Sequence, residues 1–68
     1  MNKKIVEMRI KFLKQMDDYV NELNDDIWEE WEEEKTKLLY KFISENTVLW
    51  NSLCRKFGEL TEKVKEED

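Results

Sequence analysis

Seven carboxylates crowd ten consecutive positions: Asp25, Asp26, Glu29, Glu30, Glu32, Glu33 and Glu34. Trp28 and Trp31 are threaded through them. Carboxylates at this density attract a basic partner over long range, and indoles are the residue type enriched at binding hot spots. Trp28, Glu29, Trp31, Glu32 and Glu33 are therefore the expected contact set. In its strongest form such a face imitates nucleic acid and occupies a DNA- or RNA-binding protein, as some phage inhibitors do. The bland alternative is a solvated helix start, where acids meet the positive end of the helix dipole.

Metal binding and catalysis fit these residues poorly. An EF-hand loop needs a glycine at its sixth position, and none is present here. Di-iron bundles use a Glu-x-x-His motif, and the chain has no histidine. Paired carboxylates do acid–base work only in a pocket that raises one pKa. A chain of 68 residues encloses little cavity. Cys54 is the single cysteine, so no internal disulfide can form, and a small buried hydrophobe is its expected role. No nucleotide-binding loop, zinc spacing or Ser-His-Asp set can be assembled. The expectation is a non-enzyme with no metal and no cofactor.

A second candidate surface is basic. Lys3, Lys4, Lys11 and Lys14 share the side of the first helix opposite its apolar stripe, with Phe12 nearby. They could contact the phosphates of RNA or DNA in a dimeric regulator. Lysines at a helix start oppose its dipole, which suggests another reason for them. Against nucleic acid stands the charge balance: 12 basic and 17 acidic residues, a formal net charge of −5. Nucleic-acid binders usually carry a positive excess. A third possibility is structural self-assembly through exposed stripes.

The elements that position these groups are helices. There is no proline, Gly58 is the only glycine, and apolar residues recur three or four apart from Ile5 to Val64. Ile5, Met8, Phe12, Met16, Tyr19, Val20 and Leu23 form one stripe, placing a first helix at about 3–23. Asn24-Asp25-Asp26 favours a turn, and Asp26 with Glu29 resembles a capping box opening a second helix at 26 or 27. The second stripe reads Trp28, Trp31, Leu38, Leu39, Phe42, Ile43, Leu49, Trp50, Leu53, Phe57, Leu60 and Val64. It is interrupted at 32–37, which lacks a large apolar side chain, and at Ser44 to Thr47, which collects weak helix formers. Arg55-Lys56-Phe57-Gly58 reads as a helix end, with glycine available for a left-handed cap.

The fold class is all-α, a small antiparallel bundle of two or three amphipathic helices. The leading arrangement has three, at about 3–23, 26–44 and 46–65. One alternative leaves the second helix unbroken to the C-terminus. Another turns within 32–37 into a hairpin that dimerises into a four-helix bundle. Residues 1–68 are expected to form a single helical domain, with Lys65 to Asp68 frayed.

Leu49-Trp50-Asn51-Ser52-Leu53-Cys54-Arg55-Lys56-Phe57-Gly58 resembles the end of the Rop family of plasmid proteins. Lys11-Phe12-Leu13-Lys14 falls roughly where that family carries its RNA-facing aromatic and basic residues. The resemblance implies a dimeric, RNA-binding hairpin. It is confined to these two segments, whose separation differs from that of the family, so it assigns no membership.

Hydrophobic residues make up 40% and charged residues 43% of the chain, and their amphipathic order favours folding over disorder. No apolar run approaches the ~18 residues of a membrane span. The basic start Met1-Asn2-Lys3-Lys4 leads into Glu7, Arg9, Lys11 and Lys14, unlike a signal peptide. A lone thiol without such a signal suits a cytoplasmic setting. So small a chain usually needs additional buried area from partner helices. The expected function is therefore a small acidic protein-interaction module, a regulator, adaptor or inhibitor of phage, virus or plasmid type. Its expected partners are a protein with a basic surface and a second copy of itself. Nucleic acid ranks second, and neither membrane nor small-molecule substrate is expected.

Overall fold

Three asparagines set the helix starts. The Asn2 side-chain oxygen accepts from the Lys4 amide at 2.8 Å, and that of Asn24 accepts from the Ile27 amide at 2.8 Å. The Asn46 oxygen accepts from the amides of Val48 and Leu49 at 3.0 and 3.2 Å. Each satisfies donors that a helix start leaves without intrahelical partners. In the computed structural model, which describes residues 2–67, the helices are α1 (Lys3–Asn21), α2 (Asp25–Lys37) and α3 (Thr47–Glu67). A 3-10 turn, Tyr40–Phe42, lies between α2 and α3.

The helices run up, down and up. Arg9 near the start of α1 meets Ser44 and Thr47 at the start of α3, while Tyr19 near its end meets Phe57. α2 returns between them and packs on both. The core is Leu13 and Val20 from α1, Ile27 and Trp31 from α2, Ile43 from the connection, and Leu53 and Leu60 from α3. Trp31 meets the Phe57 ring edge-on at 5.7 Å. Fully burying one such aliphatic side chain contributes about 1.5–3 kcal/mol.

Three helices in an all-α bundle match the leading arrangement, with shifted boundaries. α2 begins two residues earlier than Asp26 would cap it, because Asn24 is the cap and Asp25 and Asp26 occupy the first turn. It stops at Lys37, far short of 44. Leu39 adopts the left-handed conformation (φ 58°) and ends it. The chain then turns so that Ile43 can plug the bundle end. α2 runs unbroken through 32–37, so there is no hairpin turn there, and the break before Asn46 excludes one long second helix. Gly58 is not a helix end: it lies inside α3 without a positive φ. α3 is helical through Glu67, so Lys65 and Glu66 sit within it, and Asp68 lies outside the described residues. The first-helix stripe also rotates: Leu13 and Val20 are buried, whereas Ile5, Met8, Phe12 and Tyr19 are 40–51% exposed.

Candidate partner-binding surfaces

Positions 28, 29, 32, 33, 36 and 37 of α2 fall on one side of a 3.6-residue period. Trp28, Glu29, Glu32, Glu33, Thr36 and Lys37 line a shallow depression of about 650 Å³ there. Four of the five expected contact residues are thus brought together. Trp28 is half-buried and packs against the core. Glu29 and Glu33 are exposed.

The fifth, Trp31, is turned inward. Its indole is 0% exposed, and its Nε1–H donates to Asp17 Oδ1 at 2.6 Å. It is a core residue and cannot act as a surface anchor. The opposite face of α2 explains why: Ile27, Trp31 and Lys35 recur four apart and point at α1 and α3.

Lys35 is the residue that the charge pattern concealed. It is only 6% exposed, although it sits in the segment without a large apolar side chain. Its ammonium donates to Asp17 Oδ1 at 2.6 Å and to Glu32 Oε1 at 2.8 Å. It also lies over the rings of Tyr40 (4.9 Å), Trp28 (5.3 Å) and Trp31 (5.9 Å), close enough for cation–π attraction. Burial pushes its pKa down, but the carboxylates of Asp17 and Glu32 outweigh it, and the net direction is upward. Lys35 thus fixes the Trp28 ring from beneath, and Glu32 is held at the rim of the depression. On the other flank Lys63 bridges to Glu30 at 3.0 Å and ties α2 to α3.

Lys3, Lys4, Lys11 and Lys14 are all exposed along α1. Phe12 does not join them. It faces a second groove, about 520 Å³, between α1 and α3, where Met16, Tyr19, Trp50, Cys54 and Phe57 also converge. The α1–α3 seam is the loosest of the bundle, because α2 takes the close packing. Arg9 closes one end of it, lying 5.8 Å over the Trp50 ring. Cys54 is partly buried in this groove, and burial raises its thiol pKa above the ordinary value, with Arg9 pulling weakly the other way. That favours the unreactive thiol.

Among the described residues, no three His, Cys, Asp or Glu side chains are grouped to hold a metal ion. No described helix is long and apolar enough to cross a membrane. No family model matches the chain, and neither a curated protein nor a solved structure matches it.

Proposed function

We propose that this chain is a non-enzymatic protein-interaction module, a small regulator, adaptor or inhibitor that presents the outer face of α2 to a basic partner. The observation that carries this reading is the depression around Trp28. A half-buried indole, braced from beneath by Lys35, is ringed by Glu29, Glu32 and Glu33. The ring offers apolar area already fixed in place, so little side-chain entropy is lost on contact. The exposed acids Asp25, Asp26, Glu29 and Glu33 extend the same field and would speed encounter with a positive surface.

The test is capture from a lysate by immobilised protein, with bound proteins identified by mass spectrometry. Wild type should retain a basic protein that Trp28→Ala with Glu33→Gln loses, while circular dichroism shows the same helicity for both. Retention should weaken with salt, because the attraction is between exposed charges. Equal retention by the variant rejects the α2 surface. Loss of all retention after nuclease treatment rejects a protein partner in favour of nucleic acid.

A further inference from the structure

The α1–α3 groove and the exposed stripe of α1 form one continuous apolar face. Ile5, Met8, Phe12 and Tyr19 occupy its α1 half, and Trp50 and Phe57 line the α3 wall. On that wall Thr47, Asn51, Cys54, Gly58 and Thr61 follow one another at spacings of four and three. This line of α3 is free of charge in a chain that is 43% charged.

The free edge of the α1 stripe is charged in a particular order. At 100° per residue, Lys4, Lys11, Asp18 and Glu22 fall along this one edge, basic at the start and acidic at the end. All four are exposed. The order is wrong for an isolated helix. α1 has no acid in its first turn and no base in its last, so its charges oppose its own dipole at both ends. Among the described residues, no ion pair within the bundle engages Lys4, Lys11, Asp18 or Glu22. A second helix lying antiparallel along the stripe does: Lys4 then faces the partner's Glu22, and Lys11 comes within a turn of the partner's Asp18. A parallel two-fold partner would turn this edge away from its own copy and leave the order unused.

We propose that this face is a homodimer interface in which two α1 helices pack antiparallel about a two-fold axis near Phe12, with α3 of each copy flanking the seam. Such symmetry makes the same patch complementary to itself. α1 and α3 of the two copies then form a four-helix arrangement, and Phe12 and Tyr19 become buried. A 19-residue helix is about 28 Å long. A face of that length and roughly two helices wide offers on the order of 600 Å² per copy, ~1,200 Å² in total, the lower edge of specific interfaces. The interface is separate from the α2 surface, so either can fail without the other.

Sedimentation equilibrium across concentration tests the proposal with the protein alone. The expected result is a shift from the 8.4 kDa chain to twice that mass, with a dissociation constant in roughly the micromolar range. Phe12→Asp should weaken it at least ~100-fold by placing a charge at the seam, with helicity unchanged because Phe12 is half-exposed in the single chain. Two further variants guard against a folding artefact: Lys4→Glu with Lys11→Glu, and Asp18→Lys with Glu22→Lys, all at exposed positions. Each alone should dimerise ~10-fold more weakly than wild type, and a mixture of the two should associate more tightly than either. A monomer up to about 1 mM overturns the proposal. So does a dimer indifferent to Phe12→Asp, or a mixture with no preference for mixed pairs.

Discussion

Removing the Asp17 carboxylate should cost this protein a large part of its stability. Asp17 Oδ1 serves two donors at once, the Trp31 indole and the Lys35 ammonium, each at 2.6 Å. Asp17→Ala leaves the buried indole N–H without an acceptor, which costs about 1–3 kcal/mol. It also leaves Lys35 with Glu32 as its remaining carboxylate. Breaking a fully buried pair costs ~3–5 kcal/mol. Here the Asp17 side chain is 22% exposed and Glu32 stays, so roughly 1–2 kcal/mol is the fitting share. The sum is about 3 kcal/mol, against roughly 3–10 kcal/mol for a whole chain of 68 residues. The thermal midpoint should fall by ~10–25 °C. Urea and thermal unfolding followed by circular dichroism, at one fixed protein concentration, measure it. Lys35→Met is the control: it keeps the stem that packs on the rings and leaves Asp17 bonded to the indole and partly solvated. It should cost under ~1.5 kcal/mol. A loss below ~1 kcal/mol for Asp17→Ala, or a larger loss for Lys35→Met, would refute the account of this network.

The remaining expectations concern pH and two backbone positions. Because the folded Lys35 pKa is raised above 10.5, its contribution is complete below that value and is lost as pH rises through the folded one. Urea midpoints between pH 9 and 12 should therefore show an alkaline loss that is smaller in Lys35→Met. Gly58 sits inside α3 with open space where a Cβ would be, so Gly58→Ala should raise stability by about 0.5–1 kcal/mol. An unchanged or lowered urea midpoint contradicts this. Leu39 is 62% exposed and holds φ 58°, a conformation costing a non-glycine residue ~1–2 kcal/mol. Leu39→Gly relieves that cost and adds some unfolded-state entropy, for a net gain of ~0.5 kcal/mol by the same assay; a loss above 1 kcal/mol would show that the Leu39 side chain carries packing.

The helical class, the first turn and the break at Ser44 to Thr47 were legible in the sequence, because period and short polar side chains act locally. Which side of α1 faces inward was not. α1 is apolar over more than half its circumference, and only the position of α2 selects Leu13 and Val20 over Phe12 and Met8. Ile27 escaped notice for a related reason: the neighbouring Trp28 captured the stripe, although Ile27 is 2% exposed. Lys35 was hidden because a wheel reading sends every charge outward, whereas Asp17 and three rings make an interior place for this one. The α2 end was hidden because a leucine takes the left-handed position usually marked by glycine. Of the acidic site, Trp28, Glu29, Glu32 and Glu33 fall on one side by spacing alone, and Trp31, three residues on, needed the core to place it.

A charged head in so small an interior also fixes alignment. Greasy side chains pack nearly as well after a helix slips by one turn, about 5.4 Å, along its neighbour. The Lys35 ammonium cannot: one step either way strands it from Asp17 and strips the Trp31 indole of its acceptor at the same moment. Asp17 therefore works as a locating pin between α1 and α2, excluding slipped bundles that oily contacts alone would tolerate. The Asp17→Ala chain, which loses both bonds, should show broader and less dispersed methyl resonances than the parent, the mark of a bundle without a single register, whereas Lys35→Met keeps the indole bond and its dispersion.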